Sequence, residues 1–175
     1  MPNIVIIGGV AAGSSAASQA KRRQPEADVV LLEKGSFVSY GACGIPYNLQ
    51  EPARMIEDLI AVSVRDFRDK RHIDLRTHHE VTRIDSRAKR LHVRDLAQGR
   101  DYSEAYDKLV IATGASSAPL PLPGVDLPGV FALRELSDGQ RIKQFIADRQ
   151  PKSALIIGGG YIAMEMAETL RARGM

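Results

Sequence analysis

Four short runs along the chain are apolar without interruption: Ile4-Val5-Ile6-Ile7, Val29-Val30-Leu31-Leu32, Leu109-Val110-Ile111-Ala112 and Ala154-Leu155-Ile156-Ile157. A strand with one wet face alternates, whereas a strand covered on both faces does not, so these β-branch-rich runs predict a parallel sheet enclosed by other elements. Between the first two runs, residues 11–23 predict a helix. Its small residues Ala12, Ala16 and Ala20, beside Gly13 and Ala17, form a stripe that can lie close on a sheet, and Gln24-Pro25 ends it. Ser63, with Asp66 three positions on, predicts the cap of a short helix reaching His72 and carrying Val64, Phe67 and Arg71 at helical spacing. From His79 to Tyr106 the pattern turns to alternation (Val81, Ile84, Leu91, Val93), with turns at 85–89 and at Gln98-Gly99, which predicts an antiparallel meander inserted before the strand at Leu109. Pro119, Pro121, Pro123 and Gly124 predict an extended connector, and residues 136–149 a helix. Pro151-Lys152 then opens a new strand and a helix over 162–173, with Ile162, Met166 and Leu170 as its apolar face. The expected class is α/β.

Composition narrows the function classes. The 175 residues are 44% hydrophobic, 26% charged and 5% aromatic with no tryptophan, which describes a globular chain with an aliphatic core and excludes disorder and collagen. At this length folding buries roughly 70% of the unfolded surface. The net charge of +3 is interspersed along the chain, so no nucleic-acid partner is expected, while an anionic ligand is compatible. No apolar run approaches the roughly 20 residues of a membrane span, and the N-terminus lacks a basic secretory n-region. A single cysteine, Cys43, allows neither an internal disulfide nor a CxxC pair, and the expected location is cytoplasmic.

Candidate chemistry begins at Gly8-Gly9-Val10-Ala11-Ala12-Gly13, set between a predicted strand and a predicted helix. Gly8 and Gly13 permit a tight turn and close helix–strand packing, and the amides at the positive helix end suit a pyrophosphate. Glu33 closes the second strand at the separation of about 20 residues at which an acid meets a ribose hydroxyl. Val10 departs from the pattern, which has its middle glycine there. A second turn, Gly158-Gly159-Gly160-Tyr161-Ile162-Ala163, again follows an apolar run and precedes a helix. Its ribose-reading residue is expected near position 183, past Met175, and Ala163 in the third glycine's place leaves NADH and NADPH both open.

Cys43 admits a plain reading as a small buried hydrophobe. Its neighbours Gly41, Gly44 and Pro46 favour a reactive one, because Pro46 suits a first helical turn and a sulfur at a helix N-terminus is stabilised as the anion. His72, His78, His79 and His92 follow no metal-ligand spacing, so they are read as surface or packing residues and no metal is expected. Lys21, Arg22 and Arg23 read most simply as a solvated face.

The chain resembles the pyridine nucleotide-disulfide oxidoreductases, and within them the single-cysteine branch of coenzyme A-disulfide reductases, NADH oxidases and persulfide reductases. The resemblance rests on VIIGGVAAG (5–13), LLEKG (31–35), SYGACGIPY (39–47), LVIATGA (109–115) and IIGGGYIAMEMA (156–167), the cysteine loop being the most specific. It implies a Rossmann-like FAD-binding domain over residues 1–150, connector included, and the start of an NAD(P)H-binding Rossmann-like domain over 151–175. The implied FAD contacts are Gly8, Gly9, Val10, Ala11, Ala12, Gly13, Glu33, Lys34, Val81, Ala112, Thr113 and Gly114. Those for NAD(P)H are Gly158, Gly160, Tyr161 and Ile162, with Glu165 belonging to the nucleotide fold.

It further implies that Cys43 is the redox centre facing the flavin, that Gln19, Arg22 and Ser39 contact coenzyme A, and that a later domain makes a homodimer. Ala42 stands where some members have asparagine, so one coenzyme A contact is missing. With no second cysteine, Cys43 must take its partner atom from outside: a coenzyme A disulfide, a persulfide sulfur or a peroxide oxygen. The expected activity is FAD-dependent NAD(P)H:disulfide reduction. An NADH oxidase or peroxidase working through a sulfenic acid is the alternative, and a non-catalytic flavin-binding module is the alternative of another class.

Overall fold

The computed structural model describes residues 1–118 and 120–175. In chain order the elements are β1 (Asn3–Ile7), α1 (Ala11–Arg23), β2 (Asp28–Glu33), α2 (Ile45–Gln50), α3 (Val64–Asp69), β3 (Asp74–Thr77), β4 (His79–Asp85), β5 (Arg90–Asp95), β6 (Arg100–Ala105), β7 (Lys108–Ile111), α4 (Leu136–Arg149) and α5 (Tyr161–Ala172). They form two compact units, one of residues 1–40 with 60–114, the other of 41–59 with 115–175. This partition by packing follows different lines from the cofactor-based division after residue 150.

The first unit is built on a four-stranded parallel sheet in the order β3-β2-β1-β7. Successive side chains of a strand point to opposite faces, and here both faces are covered. Ile4, Ile6, Val29 and Leu31 join Ala17, Phe67 and Leu75 on one side. Val5, Ile7, Val30 and Leu32 join Leu91 and Val93 of the meander on the other. That double coverage is why the runs read as continuous. The meander β4-β5-β6 is antiparallel, and its last tight turn is held by Asp95, whose Oδ1 accepts from the amides of Ala97 and Gln98 at 3.1 and 3.0 Å.

Several expectations are corrected here. The stripe that α1 lays on the sheet is Gly13, Ser14 and Ala17 with Ala20, while Ala12 is exposed, because the helix sits rotated about one residue from the predicted face. The helix capped by Ser63, whose Oγ accepts from the Asp66 amide at 3.0 Å, stops at Asp69, and Arg71 lies beyond it over the Phe67 ring. The sequence DLRT of β3 was not predicted as a strand at all.

In the second unit Ile45, Leu49, Ile56 and Leu136 are fully or almost fully buried among the helices. Ala154–Ile157 forms no strand: no described strand pairs with it, and Leu155 and Ile157 are 87% and 69% exposed. Apolar residues specify a strand only where a neighbouring strand takes up its backbone groups. Helix α5 buries Met166 and Thr169 in place of the predicted Ile162-Met166-Leu170 face. Residues 120–130 make an irregular connector; Pro119 lies outside the described residues. No described helix is long and apolar enough to cross a membrane.

Candidate functional site

The first glycine turn links β1 to α1 with almost no spare volume. Gly8 has φ +99°, and a Cβ there would stand 2.2 Å from the carbonyl oxygen of Ala112; a Cβ at Gly13 would stand 1.7 Å from that of Gly8. The turn therefore exists only with glycine at both positions. No side chain caps α1 and its first turn carries no acid, so the positive helix end and its amides are left for an anion. Val10 occupies the N-cap with φ −84°, a value open to any residue, so the missing glycine costs no strained φ.

Glu33 is 9% exposed and works at the centre of this turn. One carboxylate oxygen accepts from the Gly9 amide and the other from the Gly35 amide, both at 2.7 Å. A carboxylate has about four lone-pair directions, so two remain for hydroxyl donors. Ser39, at φ +47°, donates its amide to the Gly9 carbonyl at 2.9 Å and so joins the same turn. The close approach of Gly8 to Ala112 and Thr113 brings the Thr113-Gly114 segment alongside. Val81 and Thr113 share an open cleft of about 320 Å³ with Ile7, Ile84 and Ile111. Lys34 is exposed beside Glu33. These residues offer glycine cradles that a Cβ would fill, an amide-lined helix end, a carboxylate and an apolar cleft, which fits the pyrophosphate, ribose and ring parts of a dinucleotide.

On α1, Gln19 and Arg22 are exposed, and Arg22 makes no hydrogen bond or ion pair among the described residues. Lys21, read as part of the same solvated face, instead donates to the Ala27 carbonyl at 2.8 Å. Arg71 was missed as a neighbour: it donates to Ser18 Oγ at 2.6 Å, adding a guanidinium one helical turn from Arg22. The histidines are accounted for by packing where contacts exist, His79 meeting Tyr102 edge-on and the Thr77 carbonyl.

In the second unit Cys43 is exposed in a one-turn 3-10 segment (Ala42–Gly44) that runs directly into α2. Three side chains from other helices hold the carbonyls of that helix and the turn after it. Thr169 donates to Pro46 O at 2.9 Å, Arg173 to Leu49 O at 2.8 Å, and Lys143 to Asn48 Oδ1, Asn48 O, Glu51 O and Arg54 O. Burial in this setting, reinforced by the charge of Arg173, pushes the Lys143 ammonium below its ordinary range. None of the three was singled out from sequence, since contacts to distant backbone oxygens leave no periodic or motif signature. The second glycine turn precedes α5 with Gly158 at φ +120° and nothing near Gly159 or Gly160. Tyr161 and Ile162 are exposed, Glu165 half-buried.

A family model for pyridine nucleotide-disulphide oxidoreductases matches residues 2–175. The chain belongs to that family. It is 34% identical over 175 residues, all of its own length, to the coenzyme A disulfide reductase of Staphylococcus aureus strain COL, and spans 39% of that protein. Among solved structures it is similar to reduced Bacillus anthracis CoADR-RHD, with TM-score 0.95 and 33% identity over 99% of this chain and 31% of that one. It is also similar to an NAD-dependent persulfide reductase from A. fulgidus (TM-score 0.92, 33% identity, 99% and 32% covered). The water-forming NADH oxidase from Lactobacillus brevis follows with TM-score 0.90 and 28% identity, over 99% and 38%. The chain thus spans about two fifths of the length of the curated relatives it matches.

Proposed function

We propose that this chain is the flavin- and cysteine-bearing part of an NAD(P)H-dependent disulfide reductase acting on coenzyme A disulfide or a related coenzyme A persulfide. Residues 1–150 form its FAD-binding domain and 151–175 the beginning of its NAD(P)H-binding domain. FAD is held by residues 8–13, Glu33, Lys34, Val81 and 112–114, and the nicotinamide nucleotide by Gly158, Gly160, Tyr161 and Ile162. When bound, these cofactors supply hydride transfer and the electron pair that returns sulfur to the thiol level. The observation that carries the redox reading is the exposure of the chain's single cysteine in a turn leading into a helix, downstream of a glycine turn built for a dinucleotide.

Cys43 works by exchange. Its thiolate attacks one sulfur of the disulfide, forming a mixed disulfide and expelling the other half as a thiolate; two electrons and a proton then release the second thiol and restore Cys43. Arg22 offers a cation for coenzyme A phosphates, Gln19 an amide and Ser39 a hydroxyl. Charge-assisted contacts of this kind contribute roughly 1.5–3 kcal/mol. Ala42, where some members of the family have asparagine, offers no such contact, and the NADH oxidase likeness keeps an oxidase reading as the alternative. The whole enzyme is read as a homodimer.

Intact mass spectrometry of oxidised protein tests this. A dithiothreitol-removable adduct of coenzyme A size, absent from Cys43→Ser, is expected. A gain of one oxygen at Cys43 would replace disulfide exchange by a peroxidase cycle, and full disulfide turnover by Cys43→Ser would remove the cysteine from the mechanism.

A further inference from the structure

Helix α2 has six residues, whereas isolated helices need roughly 12–15 to persist in water. It nevertheless continues directly from the turn that carries Cys43, so the position of that turn depends on whatever fixes α2. Two backbone carbonyls of α2 accept side-chain donors from α5 and from its C-cap residue. Thr169, 1% exposed, donates to Pro46 O at 2.9 Å, and Arg173 donates to Leu49 O at 2.8 Å. Both donors lie at the far end of the helix that begins immediately after the Gly158–Gly160 turn. Lys143 donates to the backbone and side-chain oxygens of Asn48 and to Glu51 O just past the helix.

We infer that Thr169 and Arg173 are positioning residues for Cys43: by gripping α2 from the helix of the second glycine turn, they set where the thiol is presented for exchange. The inference rests on the reading of Cys43 as the redox cysteine, but its structural half stands apart from turnover. A thiol attacking a disulfide needs a defined approach, and a loosened α2 spreads Cys43 over many placements without altering flavin reduction.

Amide hydrogen exchange of the full-length protein provides the test, with Thr169→Val removing the hydroxyl at constant shape and Thr169→Ser restoring it. Exchange over residues 42–50 is expected to accelerate about tenfold in the valine variant, return to the wild-type rate in the serine variant, and stay unchanged over residues 28–33. In parallel, kcat for coenzyme A disulfide should fall about fivefold, while NAD(P)H-driven ferricyanide reduction, which bypasses the cysteine, keeps its rate. Unchanged exchange over 42–50 would overturn the inference, as would equal acceleration over 28–33, which marks a general loss of stability. If Thr169→Val does not fold, Arg173→Met, which frees only Leu49 O, carries the same expectations. Wild-type protein without disulfide turnover would sink the redox reading alone, since the exchange data still decide whether Thr169 and Arg173 hold the Cys43 turn.

Discussion

At Gly8–Gly13 backbone oxygens occupy the volume that side chains at Gly8 and Gly13 would need, and a buried carboxylate ties the turn to β2; at Gly158–Gly160 the same kind of sequence faces open space. The difference lies in what surrounds the letters. The first turn is clamped between paired strands β1, β2 and β7 and its helix, so each glycine has a steric reason. The second follows an apolar segment that no described strand pairs with. The steric demand for glycine is thus visible at the first turn, where the flanking strand is paired, and not at the second, where no described residue approaches.

The largest effect expected from this comparison is on stability. Gly13→Ala forces a methyl into the Gly8 carbonyl and should lower the unfolding free energy by about 3 kcal/mol or more, the upper range for overpacking. Gly160→Ala, at a φ of −78° with nothing around it, should cost no more than about 1 kcal/mol, the penalty of alanine at the N-cap of α5. Urea unfolding followed by circular dichroism separates the two, and equal losses would break the comparison.

Glu33→Gln comes next. It leaves one acceptor oxygen for two amides that now share a carboxylate, which should cost about 2 kcal/mol in the same assay. No corresponding loss is expected from Glu165→Gln, since that side chain makes no hydrogen bond among the described residues.

The smallest effects share one sign with pH and act at opposite ends of the scale. Burial acts to raise the Asp95 carboxyl, but the Gln98 amide, the His79 charge, the Ala97 amide and Arg100 together hold it below its ordinary 3.8. Stability from Asp95 is thus complete above that value and lost as pH falls through the lower, folded one. Lys143 has the same sign in the alkaline range. Its ammonium is depressed in the folded protein, so the unfolded chain binds more protons as the ordinary 10.5 is approached, and stability rises with pH between the folded and unfolded values. Asp95→Asn should flatten the acid limb of a stability–pH curve and Lys143→Met the alkaline one; a curve unchanged in both would remove these assignments.

Much of the first unit was legible because local pattern and tertiary environment agree there. The span of α1 coincides with its predicted range, as does that of α4 in the second unit, and the alternation at Val81, Leu91 and Val93 marks the meander. Strand β3 escaped notice because an edge strand reading DLRT buries only Leu75. The segment Ala154–Ile157 misled for the opposite reason, having hydrophobicity with no pairing neighbour among the described residues. At the site, Gly8, Gly13 and Glu33 could be read from spacing, whereas Arg71 on Ser18 and the grip of Thr169, Arg173 and Lys143 on α2 join residues far apart in sequence through single hydrogen bonds.

The most direct measurement is an equilibrium titration with FAD followed by flavin fluorescence, on the parent protein, Gly13→Ala and Gly160→Ala. Saturable binding to one site is expected for the parent, the same binding for Gly160→Ala, and none for Gly13→Ala even where circular dichroism shows it folded. Folded parent protein that never saturates, or Gly13→Ala that binds as the parent does, would contradict the first glycine turn as the flavin cradle.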